Sequence, residues 1–197
     1  MTEMDMTWVE RLCSKLGRPK IADLPPIDWD EIEGNFGTRL PSDYKYLCNR
    51  YTAFSLSCLL LLNPRVKIFG HRNLVEATRE TEEIFRYVFD GDDEELKYIP
   101  DHNSSVMGGR LDMFQFYPNH PGLLLWGKDN HRGGYYWYVD GEADEWRVVA
   151  QADWVLWDQH PMSMSEYLVR NWEGSLRCRV LGCCFADGVR VEHYPFQ

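Results

Sequence analysis

The chain has 197 residues, of which 44% are hydrophobic and 14% aromatic, and its formal net charge is −10 at pH 7. This composition excludes a disordered chain and is sufficient to bury a sizeable core. The negative charge disfavours nucleic acid as a direct ligand, because phosphate backbones repel it, and favours a basic protein partner. A purely solubilising role for the charge is the alternative interpretation.

We expect neither a secretory signal peptide nor a membrane-spanning segment in this sequence. Residues 1–10 lack the basic stretch followed by an apolar run that marks a secretory signal peptide. The most apolar run, residues 54–62, is far too short to cross a bilayer. We therefore expect a cytoplasmic protein without membrane contact.

None of the six cysteines belongs to a C-x-x-C pair, the short spacing on which zinc sites usually depend. Cys13 and Cys48 lie in apolar helical patterns, which favours buried free thiols. Cys178, Cys183 and Cys184 cluster near the end of the chain, where the sequence leaves a metal or disulfide role open. We predict no bound metal and no cofactor.

Helix starts are indicated by a capping residue followed three positions later by glutamate, an arrangement in which each side chain bonds a free backbone N–H of the first turn. Pro41 predicts a further start, because its missing N–H needs no partner in a first helical turn. The four capping pairs are Thr7 with Glu10, Asp28 with Glu31, Asn73 with Glu76, and Ser163 with Glu166.

The remaining hydrophobic segments predict strands. Residues 54–62 read as one buried strand ended by Asn63 and Pro64. Residues 111–117, 123–126, 135–139 and 146–151 predict four more, and the glycine-containing connections after the second and third suit tight turns of an antiparallel meander. Residues 176–181 and 189–193 are strand-like as well. The stretch around residues 154–157 predicts a loop.

Aromatic residues alternate along the strand at 135–139. Tyr135 and Trp137 point to one side, and Tyr136 and Tyr138 to the other. Either both faces of the sheet are covered, or one of them is a binding surface. Helices followed by a meander and a last helix define an α+β fold, with a mostly antiparallel sheet flanked by helices.

Three motifs in order resemble the SMI1/KNR4 (SUKH) family. The first is the segment at 32–45, which contains Leu-Pro-Ser-Asp-Tyr at 40–44. The second is Leu-Leu-Trp-Gly at 124–127, followed by Gly-Gly-Tyr-Tyr-Trp at 133–137. The third is Trp-Arg-Val-Val at 146–149, followed by Met-Ser-Glu-Tyr-Leu at 164–168. The resemblance divides the chain into an N-terminal helix and linker at 1–27, an SMI1/KNR4-like domain at 28–174 and a C-terminal extension at 175–197.

The resemblance implies the family's α+β fold and a role in binding proteins. Bacterial members are widely thought to be immunity proteins that neutralise toxins, often nucleases, whereas fungal members act as interaction hubs. The family has no associated catalytic residues, so the resemblance assigns none here. The two implied functions are therefore an immunity protein and a general interaction module.

A catalytic function has no positive support in the residues. The chain contains no metalloprotease, phosphate-loop or nucleophile-elbow motif. Asp101 beside His102, and Asp158 near His160, are the pairs that a hydrolase could use. Sequence neighbours rarely form a catalytic dyad, so an enzyme with an unrecognised site is the third hypothesis.

Carboxylates and tryptophans supply the candidate partner-binding residues. Two acidic segments could steer or clamp a basic toxin surface, and solvated connections are the alternative. Exposed tryptophans would be natural anchors of such an interface, and burial in the core is the alternative. The candidates are Asp92, Asp93, Glu94, Glu95, Trp137, Asp140, Glu142, Asp144, Glu145, Trp154 and Trp157.

Overall fold

The computed structural model describes residues 3–21, 24–65, 73–89, 115–153 and 156–194. In these residues the expected α+β fold is confirmed, with helices flanking a mostly antiparallel sheet. The helices are α1 (Glu3–Leu16), α2 (Trp29–Phe36), α3 (Ser42–Arg50), α4 (Leu74–Phe89), α5 (Met164–Trp172) and α6 (Gly182–Phe185). The strands are β1 (Phe54–Leu56), β2 (Leu59–Leu61), β3 (Gln115–Phe116), β4 (Gly122–Asp129), β5 (Gly133–Val139), β6 (Arg147–Ala152), β7 (Leu156–His160) and β8 (Val191–His193).

The sheet is built around a meander. Its strands lie in the order β7-β6-β5-β4-β2-β1-β8, and β3 pairs in parallel with the start of β4. The expected antiparallel pairing of the central strands is confirmed, with Tyr136 of β5 opposite Leu125 of β4 and Val149 of β6. Because consecutive strands are neighbours from β4 to β7, this half of the sheet is formed by local connections.

In three of the four capping pairs the capping side chain accepts its expected hydrogen bond. Asp28 Oδ1 accepts a hydrogen bond from the N–H of Glu31 at 3.0 Å, and Asn73 Oδ1 accepts from Glu76 at 3.0 Å. Ser163 Oγ accepts from the N–H of Glu166 at 3.3 Å. The fourth pair was interpreted wrongly, since α1 begins at Glu3 and Thr7 lies inside it. Met and Glu residues precede Thr7, and these good helix formers let the helix start earlier.

Three segments differ from the sequence expectation. Residues 54–62 form the β1–β2 hairpin and not one strand, because Ser57 turns the chain at φ +53° without a glycine or proline to signal it. The segment expected to be a loop around 154–157 contributes β7 from Leu156 onward. Residues 176–181 form turns whose buried side chains cover α5, so their apolar character reflects packing and not a strand. Residues 111–114 lie outside the described residues.

Both faces of the central strands are covered by aromatic contacts. On one face, Trp137 meets Tyr44 of α3 edge-on, with ring centroids 4.9 Å apart. On the other, Tyr136 packs edge-on against Phe116 at 5.7 Å and stacks on Trp157 at 6.4 Å. The alternating aromatic residues left two possibilities open. The structure has the first of them, in which both faces of the sheet are covered. Burial and favourable ring geometry make these contacts a large part of the core.

The flanking segments pack onto the central body. Helix α1 lies against α3 and α5, where Arg11 and Lys15 form ion pairs with Glu173 at 2.6 and 3.0 Å. At the other end of the chain, β8 pairs with β1. Among the residues that the structure describes, every helix is too short or too polar to cross a lipid bilayer.

A buried aspartate connects two helix starts. Asp43 is 2% exposed, and its Oδ2 accepts a hydrogen bond from the N–H of Ser165 in the first turn of α5 at 2.9 Å. Its Oδ1 accepts from the N–H of Tyr44 at 2.7 Å. Burial raises the pKa of this carboxyl above its ordinary value, and the two N–H donors oppose that rise. Asp43 thus satisfies N–H groups that neither helix can bond itself.

Replacing Asp43 tests this connection. Asp43→Ala leaves the buried N–H of Ser165 without an acceptor and should lower the free energy of unfolding by about 2 kcal/mol. Asp43→Asn keeps one acceptor oxygen and should cost less. Urea unfolding measures both changes, and Asp30→Ala, which removes an exposed acid of α2, is the control and should stay near wild type. Equal stability of wild type and Asp43→Ala would contradict the assignment.

Candidate interaction surface

The acidic connection between β5 and β6 is a short, ordered turn that contains four of the candidate carboxylates, Asp140, Glu142, Asp144 and Glu145. It contains a 3-10 turn at Ala143–Glu145, and Asp140, Glu142 and Glu145 are exposed. Asp144 points inward, where its Oδ1 accepts a hydrogen bond from the N–H of Ser42 at 2.6 Å. This bond satisfies the first turn of α3, so one of the four candidate carboxylates has a structural role.

Two further contacts fix the shape of the acidic connection. The Trp146 indole Nε1 donates to the carbonyl of Gly141 at 3.1 Å. Gly141 has φ +78°, a left-handed conformation in which glycine carries no steric cost. Asp140 lies 3.7 Å from Arg147, at the start of β6. The exposed carboxylates are therefore presented by a backbone that is held at both ends.

Burial is the largest single effect on Asp144 and raises its pKa, but the lowering contributions, of which the hydrogen bond from the N–H of Ser42 is the largest, together outweigh it, and the pKa lies below its ordinary value of 3.8. A carboxylate whose pKa is depressed by folding contributes stability above the pKa of the unfolded chain and loses it as pH falls through the folded pKa. We expect this contribution to be complete at neutral pH, to begin to fall near pH 4 and to be lost as the pH passes through the lower folded pKa.

The variant Asp144→Asn measures that contribution. At neutral pH it should unfold at lower temperature than wild type, because the Ser42 N–H then meets a neutral acceptor. The gap should narrow as the pH is lowered below about 4, where Asp144 itself becomes protonated. Thermal unfolding followed by circular dichroism from pH 7 to pH 3 gives the comparison. A gap that is constant over this range would contradict the proposed ionisation.

A small cavity separates the acidic connection from the starts of α3 and α5. Its volume is about 10 Å³, and Ser42, Asp144, Trp137 and Met164 are among the residues that line it. A space of this size admits one water molecule and no organic substrate. A ligand can consequently contact this region only through its exposed side chains and not through the cavity.

The candidate tryptophans do not lie on this surface. Trp137 and Trp157 are each 1% exposed, so the structure places them in the core, where their rings contact Tyr44 and Tyr136. We therefore exclude them as surface anchors. The candidates Asp92, Asp93, Glu94, Glu95 and Trp154 lie outside the described residues.

A buried cluster brings together residues that sequence reasoning considered only separately. Asp158 and His160 lie two positions apart on β7, and Cys178 and Tyr167 complete the group. Burial alone would lower the pKa of His160, but Asp158 and Cys178 outweigh it and raise the pKa to about 9. Because Asp158 is 5% and His160 7% exposed, this pair is closed to a substrate from solution.

Cys58 and Cys184 form a disulfide, the outcome that the sequence left open for Cys184. The bond joins the β1–β2 turn to α6 over a sequence separation of 126 residues, and both cysteines are partly exposed. Cys13, Cys48 and Cys178 are free thiols, as expected for the first two. Disulfides persist in oxidising compartments and are rare in the cytosol. The Cys58–Cys184 bond is therefore an argument against the cytoplasmic location expected from the sequence.

Reduction of the disulfide should destabilise the fold. Closing so long a loop restricts the unfolded chain, and its loss should lower the free energy of unfolding by about 2–4 kcal/mol. Urea unfolding with and without a dithiol reductant measures the difference. The Cys58→Ser variant should resemble the reduced wild type and be insensitive to the reductant. A wild type that reductant leaves unchanged would contradict a stabilising bond.

Comparison with known proteins gave no match to a family model, to a curated protein or to a solved structure.

Proposed function

We propose that the protein acts by binding another protein and not by catalysis, and that it is an immunity protein of SMI1/KNR4 type that neutralises a basic toxin. The observation that carries the proposal is the acidic connection, which presents Asp140, Glu142 and Glu145 to solvent on a fixed backbone. Preformed charge of one sign suits recognition of a surface of the opposite sign, since little order has to be gained on binding.

The charge of the whole chain supports the same kind of partner. A formal net charge of −10 attracts a basic protein over distances comparable with the Debye length and raises the rate of encounter. The exposed carboxylates then add directional contacts at the end of that approach. Nucleases, the toxin class that the resemblance implies, carry basic surfaces for their own phosphate-rich substrates.

Two places that an enzymatic alternative could use are closed to a substrate. The Asp158–His160 pair is buried, and the cavity behind the acidic connection holds about 10 Å³. A general acid or base must reach the proton that it transfers within hydrogen-bond distance. In neither place can a substrate come within hydrogen-bond distance of such a group. A protein partner is therefore the better supported ligand.

Charge reversal on the acidic connection tests the role of its carboxylates. The double variant Glu142→Lys, Glu145→Lys should slow association with the basic partner about tenfold and weaken its dependence on salt. The dissociation rate should change less, because exposed charges act mainly on encounter. Stopped-flow or surface-based kinetics at two ionic strengths supply both rates.

A matched control distinguishes this surface from the total charge. The double variant Asp30→Lys, Glu31→Lys makes the same change in net charge on the exposed start of α2. It should alter association less than the reversal on the acidic connection. Equal effects of the two double variants would mean that total charge and not this surface directs binding.

Co-expression with the toxin encoded by a neighbouring gene tests the function itself. Growth should be restored in cells that produce both proteins, and the two should form a stoichiometric complex. Failure to form any complex would overturn the proposal. A complex with a partner that is not a toxin would instead favour the general interaction module.

A further inference from the structure

Three ligand-type side chains meet inside the protein, away from the acidic connection. Asp158 and His160 lie two residues apart on β7 and so share one face of the strand. Cys178 approaches them from the segment that follows α5. A carboxylate oxygen, an imidazole nitrogen and the sulfur all lie within 4.8 Å of one another. The three residues are 5%, 7% and 1% exposed, respectively.

The surrounding groups hold two of these three side chains in place. The Tyr167 hydroxyl donates to Cys178 Sγ at 3.1 Å, and the N–H of Arg179 donates to Asp158 Oδ2 at 3.1 Å. Hydrogen bonds of this kind orient ligands and stabilise their charged forms in known metal sites. The cluster therefore has an outer layer of donors in addition to its three central groups.

His160 forms an ion pair with Asp158 but, among the described residues, lacks a hydrogen bond at its Nε2. Its Nε2 lies 3.5 Å from Asp158 Oδ2 and makes no hydrogen bond within the described part of the chain. Buried polar atoms of native proteins are nearly always bonded, so a nitrogen in this position points to a further ligand. The atoms nearest to it that could share that ligand are the carboxylate of Asp158 and the sulfur of Cys178.

We propose that Asp158, His160 and Cys178 bind one divalent transition-metal ion of the zinc type. Carboxylate oxygen, imidazole nitrogen and thiolate sulfur are the donors that zinc uses, at bond lengths of about 2.0–2.3 Å. In tetrahedral geometry those lengths place neighbouring donor atoms about 3.5 Å apart. The Asp158–His160 distance of 3.5 Å already agrees with this spacing, so the remaining adjustment lies with Cys178.

The charges of the cluster fit a divalent ion. One carboxylate and one thiolate together balance two positive charges, while His160 binds as neutral imidazole. Metal binding at such a site is coupled to proton release, because thiol and imidazole ligands bind in their deprotonated forms. The Arg179 guanidinium forms an ion pair with the same carboxylate, since its Nη2 lies 3.7 Å from Asp158 Oδ1, and 30% of its side chain is exposed to solvent. A bound ion would fasten the segment after α5 to β7.

Cobalt substitution tests the site with the full chain. The protein is unfolded in denaturant without reductant, treated with a chelator, and refolded with one equivalent of Co²⁺, so that burial of the site does not prevent loading. We expect one ion per chain, thiolate-to-cobalt absorption in the near ultraviolet and visible ligand-field bands of tetrahedral type. Adding Zn²⁺ should abolish these bands, because zinc displaces cobalt.

Variants assign the spectrum to these residues. Cys178→Ser and His160→Gln should each weaken Co²⁺ binding more than about 100-fold, whereas Tyr167→Phe, which removes an outer donor, should cost about 10–100-fold. Cys48→Ser is the matched control, because Cys48 is also a buried free thiol but lies on α3, and it should bind as wild type does. Circular dichroism confirms that each variant is folded.

Two results would overturn the proposal. One is a folded wild type that binds no cobalt after refolding, which would leave the cluster as a metal-free network of hydrogen bonds and ion pairs. The other is a thiolate-to-cobalt band that persists in Cys178→Ser, which would place the metal elsewhere. Zinc should also raise the unfolding temperature of wild type and not that of Cys178→Ser, a readout independent of absorption.

Discussion

The position of the helices over the sheet depends on the carboxylate of Asp43. It accepts hydrogen bonds from the first turns of both α3 and α5, whose N–H groups carry partial positive charge. α3 brings Tyr44 onto Trp137, and α5 brings Tyr167 onto Trp126. A single buried acid thus sets the register of two helices against the aromatic face of the sheet, which packing alone would specify less sharply.

The same helix starts explain why carboxylates of one short turn have different roles. Asp144 is drawn inward by the N–H of Ser42, and its neighbours in the chain are then turned outward. That bond and the Trp146–Gly141 contact are two of the interactions that fix the acidic connection. Exposed charges on such a turn can complement a partner without first giving up mobility, which is the physical basis for assigning recognition to this surface.

Local rules recovered most of the fold, because their signals lie within a few residues of one another. Asp28 and Ser163 could be identified as caps since each bonds an N–H three positions away. The β1–β2 hairpin was missed because Ser57 supplies a positive φ that glycine usually supplies. β7 was missed because its polar Asp158 and His160 resemble a loop until partners from distant sequence bury them.

The candidate site divides in the same way between local and distant signals. The acidic connection could be read from its composition, but the inward turn of Asp144 depends on Ser42, which lies 102 positions away. The Cys58–Cys184 pair and the approach of Cys178 to β7 are also long-range. No rule based on sequence spacing predicts such contacts, because the residues meet only after the sheet and helices have assembled.

The C-terminal segment is therefore held in place by its disulfide and side-chain contacts more than by secondary-structure propensity. Helix α6 has four residues and β8 has three, lengths at which neither element is stable alone. The disulfide secures α6, while pairing with β1 secures β8 and the cluster around Cys178 secures the segment before them. Two of these three attachments involve a cysteine sulfur. The ring contacts between the sheet and its helices do not depend on a disulfide. Reducing conditions would consequently act first on this end of the fold, where the disulfide attaches α6 to the β1–β2 turn.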